Sequence, residues 1–205
     1  MNHQWIEVAK RLQSIAQAGL TYSKSKYELE RFEEIRKISA EMMSQYADTQ
    51  FDKVTDLFAN ETGYQTPKVD VRAVVFRDNQ ILMVREESDG CWSLPGGWAD
   101  IGYSPGENAV KEVREEAGLD VRPIRLLAVL DKKKYSHPPA PYHIYKMFIL
   151  CEYLGGELSG GTETTAADFF SLDQLPPLSV KRITLDQLEL LFEFHADPSK
   201  PVVFD

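Results

Sequence analysis

Three glutamates lie close together in a stretch of the chain that is predicted to be helical. Glu112, Glu115 and Glu116 are spaced three and four residues apart, so a helix places them on one narrow face. Like charges at this spacing repel and cost about 0.2 to 0.5 kcal/mol per pair, so the cluster needs basic neighbours or a bound cation. Carboxylate oxygens suit Mg²⁺ or Mn²⁺, which keep bound waters and complete their coordination with substrate phosphates. The spacing predicts a metal site; the alternative is a solvated acidic helix face.

The helix that carries these glutamates has a well-defined start and end in the sequence. Ser104 is a good N-cap, Pro105 suits the first helical position, and Glu107 completes a capping box. Gly118 is a typical C-terminal stop, so the helix is predicted to end at Ala117. One apolar stripe of this helix is expected to face a sheet: Ala109, Val110, Val113 and Ala117.

A glycine pair, Gly96 and Gly97, precedes the helix and would let the backbone approach a metal ion or a phosphate closely. From Gly97 to Leu119 the chain resembles the Nudix box: glycine, five residues, Glu, seven residues, Arg-Glu, an aliphatic residue, any residue, Glu-Glu, any residue, glycine and an aliphatic residue. A pattern of this length is much more specific than a lone glycine motif. Tyr103 stands in place of its first Glu, and Lys111 in place of its Arg. We expect Lys111 to pair with an acid one helical turn away, either Glu107 or Glu115.

The resemblance implies a fold, an activity and a set of site residues. The fold is α/β, the Nudix fold, a mixed β-sheet in an α/β/α sandwich preceded by a small all-α N-terminal domain. The activity is hydrolysis of a nucleoside diphosphate linked to another group, by water that a divalent metal activates. The implied metal ligands are Glu112, Glu115, Glu116 and the carbonyl oxygen of Gly97. Glu115 and Glu116 are also the implied catalytic residues, together with Glu163 as a candidate general base; the alternative for Glu163 is a surface carboxylate.

The rest of the chain narrows the expected substrate. The N-terminal residues 5–42 resemble an extra helical domain of a bacterial Nudix subgroup, and the chain is similar within it to the CDP-choline pyrophosphatases, which implies cleavage to CMP and phosphocholine. Two alternatives stay open: an ADP-ribose or other ADP-linked pyrophosphatase, and a nucleotide-sugar sensor without turnover. The candidate substrate-binding residues are Gly96, Gly97, Trp98, Tyr103, Lys132 and Tyr142. Among them, Lys132 is a candidate contact for phosphate. The three aromatic rings are candidates for stacking on a base; the alternative is that they pack in a core.

The periodicity of apolar residues predicts the elements that must position the site. Residues 1–62 are predicted as a helical domain, 63–68 as a linker and 69–205 as the Nudix domain. Two long amphipathic helices are expected, the first stopped at Gly19, and a third short helical stripe at residues 51–58. Strands are predicted at residues 69–75 and 81–84, joined by an Asp78–Asn79 turn, and at 121–130, 144–153 and 169–172, with a last helix at 185–194.

Composition sets limits on partners and location. The 205 residues carry a formal net charge of -9, which argues against nucleic acid as the main ligand. Two cysteines make no disulfide framework, and the sequence shows no signal peptide or membrane span, so we expect a cytoplasmic protein. A helical module of about 60 residues buries little by itself, so we expect a homodimer through the N-terminal helices.

Overall fold

The computed structural model describes residues 2–46 and 62–205 and divides the chain into two compact units. The helical unit comprises Met1–Pro67 and the short segment Pro139–His143, and the second unit comprises Lys68–Pro138 and Ile144–Asp205. The first strand begins at Lys68, a residue that the sequence assigned to the linker. The helical stripe predicted at residues 51–58 lies outside the described residues.

Two long helices make up the described part of the helical unit, α1 (Asn2–Tyr22) and α2 (Lys26–Tyr46). Their apolar faces meet in a small core that contains Ile6, Ala9, Ala40 and Met43. The predicted stop at Gly19 is wrong, because α1 continues to Tyr22. A Cβ on this glycine would lie 2.3 Å from the ring of Phe32, so the glycine makes room for a close contact between the helices instead. Neither this helix nor any other that the structure describes is long and apolar enough to cross a membrane.

The second unit is built on a mixed sheet of eight strands. Its order is β3–β2–β1–β6–β5–β8, with β4 also paired to β1 and β7 also paired to β2; β1 and β6 are parallel, whereas β5 and β6 are antiparallel. The strands are β1 (Lys68–Arg77), β2 (Gln80–Glu86), β3 (Trp92–Ser93), β4 (Gly96–Trp98), β5 (Leu119–Asp131), β6 (Ile144–Gly156), β7 (Thr164–Phe170) and β8 (Val203–Phe204). Two helices, α3 (Pro105–Ala117) and α4 (Leu185–Ala196), and two 3-10 turns, Lys132–Lys134 and Leu172–Gln174, complete the unit.

Apart from the helical stripe at residues 51–58, the expected elements are found, with differences at their ends. The hairpin is confirmed: Asp78 and Asn79 have φ of 51° and 61°, the left-handed pair of a type I′ turn. The strand predicted at residues 169–172 is β7, Thr164–Phe170, which begins earlier and ends before the 3-10 turn Leu172–Gln174. The short strands β3, β4 and β8 were not predicted, since two or three residues show no alternation.

Helices cover both faces of the sheet, as expected for a Nudix fold. Val71 and Ala73 of β1 point to the face that α3 covers, where they pack with Val113. Val74 points to the opposite face and packs in the core that contains Leu188 of α4. Alternating residues of one strand thus contribute to two separate cores, and α3 is fixed against the sheet by its apolar stripe.

Candidate active site

The capping box fixes the start of α3 as predicted. The hydroxyl of Ser104 accepts the N–H of Glu107 at 3.3 Å, and the carboxylate of Glu107 accepts the N–H of Ser104 at 2.8 Å. Asn108 ties the preceding loop to the helix, because its side-chain oxygen accepts the N–H of Asp100 at 2.9 Å. Gly118 ends the helix with a φ of 71°. The helix therefore presents its glutamates from a backbone that is fixed at both ends.

Glu116 is the most buried of the three glutamates, with 8% of its surface exposed. Its Oε2 accepts a hydrogen bond from the backbone N–H of Gly96 at 2.8 Å. Burial raises the pKa of Glu116 to about 7, although that hydrogen bond and the charge of Arg72 both act to lower it. A carboxylate held this way is poorly compensated for its charge, so a bound cation would stabilise its ionised form.

Glu112 lies beside Glu116 and is half-buried. A Cβ built on Gly97 would lie 3.6 Å from Oε1 of Glu112, so this carboxylate reaches the backbone of the glycine pair. Burial raises the pKa of Glu112 as well, with the nearby charge of Glu115 acting in the same direction. Two partly desolvated carboxylates therefore approach the two glycines.

The side chain of Glu115 points to solvent, unlike those of Glu112 and Glu116, which approach the glycine pair. Its carboxylate is exposed and forms an ion pair with Lys111 at 3.0 Å, and Lys111 also contacts Asp100 at 3.1 Å. Of its two predicted partners, Lys111 therefore pairs with Glu115, and its hydrogen bonds to Glu115 and Asp100 raise its pKa. Within residues 2–46 and 62–205, no three His, Cys, Asp or Glu side chains are gathered closely enough to hold a metal ion. The ligand role of Glu115 stays a prediction, and it requires this ion pair to open.

The donor set fits the metal that the sequence implies. Glu112 and Glu116 offer carboxylate oxygens that are crowded and partly buried, and the carbonyl oxygen of Gly97 lies on the adjacent strand β4. Hard oxygen donors without sulfur select Mg²⁺ or Mn²⁺ over softer ions. These residues, together with Glu115 of the same helix, would hold the ion.

Glu163 lies in a loop that is attached to the end of α3. Its side chain is exposed, whereas its carbonyl oxygen accepts the N–H of Glu87 at 2.9 Å. The next residue, Thr164, donates its hydroxyl to the carbonyl oxygen of Glu116 at 2.7 Å and accepts the N–H of Gly161 at 2.9 Å. The hydroxyl of Thr164 therefore links the backbone of this loop to the end of α3, and the role of Glu163 as a general base stays a prediction.

The remaining predicted substrate residues lie in different environments. Trp98 and Tyr103 are 52% and 51% exposed, so neither ring fills the core. Lys132 donates a hydrogen bond to the carbonyl oxygen of Lys181 at 2.7 Å. Tyr142 belongs to the segment Pro139–His143, which is grouped with the helical unit. The binding roles of all four stay predictions.

A group of buried charges near the glycine pair was missed in the sequence. Arg72 and Lys146 are 4% and 0% exposed, and both contact the carboxylate of Asp70, at 2.7 and 2.6 Å. Although burial alone would raise it, the pKa of Asp70 is held well below its usual range by these two cations. A signal was present: Asp70 and Arg72 alternate with apolar residues in β1, which places both on one face of a buried strand.

Comparisons with known proteins match both the N-terminal helices and the rest of the chain to Nudix-related families. A family model described as the NUDIX domain matches residues 66–194, and one described as a UDP-X-like, N-terminal oligomerisation domain matches residues 3–58. A Bacillus subtilis protein named putative ADP-ribose pyrophosphatase is 55% identical over 98% of this chain and 97% of its own length. A crystal structure of an ADP-ribose pyrophosphatase from Streptococcus suis is 49% identical, with a TM-score of 0.63, over 68% of this chain and 100% of that one. A UDP-X diphosphatase structure is 34% identical, with a TM-score of 0.65, over 100% of this chain and 99% of that one.

Proposed function

This chain belongs to the Nudix hydrolase family, and from that premise we infer that it cleaves a nucleoside diphosphate linked to a second group at the site formed by α3 and the glycine pair. It is an enzyme of the pyrophosphatase type, so the alternative of a sensor without turnover is set aside. The observation that carries the assignment of the site is the buried carboxylate of Glu116, held by the N–H of Gly96 at 2.8 Å with Glu112 beside it.

The chain's own residues divide the work of the reaction. Glu112, Glu115 and Glu116 would hold Mg²⁺ or Mn²⁺, with the carbonyl oxygen of Gly97 as a further ligand. The bound ion would neutralise the pyrophosphate and lower the pKa of water. Glu163, exposed on a loop attached to α3, is the proposed general base that takes the proton of the attacking water.

Substrate recognition is proposed for four side chains and the glycine pair. Trp98 and Tyr103 leave β4 and the loop before α3 with half-exposed rings, which suit stacking on a base. Lys132, at the start of a turn with three consecutive lysines, is proposed to face phosphate, and Tyr142 is proposed as a further contact. Gly96 and Gly97 are proposed as further contacts, because a backbone without side chains lets the anhydride approach closely.

We rank ADP-ribose first among the possible substrates. The Bacillus subtilis relative, similar over nearly the full length of both chains, carries that name, as does the Streptococcus suis structure. UDP-linked compounds are the second candidate, because of the UDP-X diphosphatase structure. CDP-choline, which the sequence led us to expect, has no support among the relatives described above and becomes the third.

A substrate panel tests this ranking. ADP-ribose, CDP-choline, CDP-ethanolamine and a UDP-sugar would be incubated with Mg²⁺ or Mn²⁺, and the products separated by chromatography. We expect ADP-ribose to give AMP and ribose phosphate with a kcat/KM at least about tenfold above the others, a difference of about 1.4 kcal/mol in transition-state binding. A higher value for CDP-choline would reverse the ranking, and no hydrolysis of any compound would overturn the proposed function. Labelled water, H₂¹⁸O, would identify the attacked phosphorus.

A homodimer through the helical unit is part of the proposal. The family model that matches residues 3–58 is described as an oligomerisation domain. Large apolar side chains of α1 and α2 are exposed: Trp5, Ile15, Tyr22, Tyr27 and Ile38. Light scattering should therefore give twice the mass of the 23.3 kDa chain at micromolar concentration, and Ile15→Lys should shift the protein toward the single-chain mass. A wild-type mass of one chain would contradict the dimer.

Two further expectations also remain proposals. A cytoplasmic location is supported by the two free thiols, Cys91 and Cys151. The net charge of -9 supports a small nucleotide rather than nucleic acid as the main ligand.

A further inference from the structure

Arg72 connects a buried carboxylate with the backbone that leads to the glycine pair. Its Nε donates to Oδ1 of Asp70 at 2.7 Å, and one terminal nitrogen of the same guanidinium donates to the carbonyl oxygen of Leu94 at 2.9 Å. With 4% of the residue exposed, water does not compete strongly for these hydrogen bonds. The planar guanidinium can make both contacts at once, because its nitrogens are spread over a rigid fork. A lysine carries its donors on a single nitrogen and cannot reproduce this geometry.

Asp70 is itself held on its other side. The ammonium of Lys146, which is completely buried, donates to Oδ2 of Asp70 at 2.6 Å. Oδ1 has its short contact with Arg72 and Oδ2 its short contact with Lys146, with a second, longer hydrogen bond from Arg72 to Oδ2 at 3.5 Å, so rotation of Asp70 would break a short contact. This arrangement fixes the orientation in which Arg72 is held.

The backbone segment Leu94–Gly96, which Arg72 contacts at one end, contacts Glu116 at its other end. Leu94 accepts from Arg72, the carbonyl oxygen of Pro95 accepts the N–H of Ala73 at 2.9 Å, and the N–H of Gly96 donates to Oε2 of Glu116 at 2.8 Å. Three successive residues are thus bound to β1 or to α3. The Gly96 N–H can point at the carboxylate only while this segment keeps its place.

We propose that Arg72 is a positioning residue that, held by Asp70 and Lys146, fixes the Leu94–Gly96 backbone so that the Gly96 N–H orients the carboxylate of Glu116 for metal. The inference rests on the proposed function, in which Glu116 is a metal ligand. Partners that orient a ligand commonly contribute about 10- to 100-fold to metal affinity or activity. Arg72 does not touch the metal or the substrate in this proposal.

The first test is Arg72→Lys, which keeps the buried charge and loses the forked donor geometry. The matched control is Arg125→Lys, which changes an arginine that also donates to a backbone carbonyl, that of Lys200 at 3.3 Å, outside this group of charges. Mn²⁺ affinity would be measured by titration calorimetry, and kcat and KM in the assay above. We expect Arg72→Lys to lower Mn²⁺ affinity and kcat by about tenfold or more with KM changed less, and the control to match wild type.

A second variant covers the case in which Arg72→Lys does not fold. Replacing all three charges together, as Asp70→Leu, Arg72→Met and Lys146→Met, leaves no buried charge of this trio unpaired, and such replacements are often neutral for stability or stabilising. This variant separates geometry from charge, because removing a net positive charge near Glu116 would by itself tighten cation binding. We expect weaker Mn²⁺ binding, by about tenfold, in a protein that melts cooperatively near the wild-type temperature.

The outcomes distinguish this inference from the proposed function. Wild-type Mn²⁺ affinity in a folded Arg72→Lys variant, or wild-type or tighter binding in the triple variant, would overturn the positioning role while leaving Glu116 as a ligand. If the wild-type protein itself bound no Mn²⁺, or if Glu116→Gln bound it equally well, the metal site would be wrong and the inference would fall with it.

Discussion

Replacing Glu116 with glutamine is expected to lower kcat by about a hundredfold or more with either Mg²⁺ or Mn²⁺. In the proposed site, the change removes a negative charge that would hold the ion and keeps the shape of the side chain. The melting temperature should not fall, for two reasons. Burial disfavours the negative charge of Glu116 and raises its pKa to about 7, so removing the charge costs little stability. The amide oxygen of glutamine can still accept the hydrogen bond from the Gly96 N–H. Steady-state kinetics and thermal melting of the same preparations would check both halves of this prediction.

Glu189→Gln is a suitable control for that variant. It makes the same chemical change at an exposed position of α4, the helix on the opposite face of the sheet, and should leave kcat unchanged. Wild-type turnover by Glu116→Gln would exclude Glu116 as a metal ligand. A large loss of melting temperature would instead show that its negative charge stabilises the fold.

The second large effect is expected from Gly96→Ala. Gly96 has a φ of 139°, and a Cβ at this position would lie 2.1 Å from the carbonyl oxygen of Val71. Strand β4 pairs with β1 here, with Gly96 opposite Arg72, so the methyl group can be accommodated only if the two strands separate. We expect the free energy of unfolding to fall by roughly 3 kcal/mol or more, measured by urea denaturation, together with loss of activity.

The neighbouring glycine provides the control. At Gly97 the nearest atom to an added methyl group would be Oε1 of Glu112, at an ordinary contact distance of 3.6 Å. The free energy of unfolding of Gly97→Ala should therefore lie within about 1 kcal/mol of the wild-type value. Equal stability of the two variants would mean that β4 is not packed against β1 in this register.

Local signals in the sequence predicted the helix α3, which carries the proposed metal ligands. The capping residues Ser104 and Glu107 and the stop at Gly118 act within one or two turns, so their effect can be read from neighbouring residues. The same holds for the Asp78–Asn79 turn, whose conformation depends on two residues.

Interactions between distant parts of the chain account for what the sequence did not predict. Asp70 and Lys146 are 76 residues apart, and no local pattern pairs them. Gly19 was predicted to end α1 because glycine often ends helices. The structure shows instead that a glycine is needed at this position because the ring of Phe32 from α2 leaves no space for a side chain. The direction of Glu115 was open for the same reason, since Lys111 had acids available one turn away on both sides and Asp100 added a third.

The attachment of the Glu163 loop to α3 has a consequence for the entropy of binding. A Cβ on Gly161 would lie 1.9 Å from the carbonyl oxygen of Glu115, so the loop passes against the helix backbone with no space for a side chain. The main chain on both sides of Glu163 is therefore already ordered, and in its proposed role as general base only the torsions of its side chain would have to be frozen when a ligand arrives. That ordering costs about 1 to 2 kcal/mol for a glutamate, whereas freezing the backbone as well would add a similar amount for every residue of the loop.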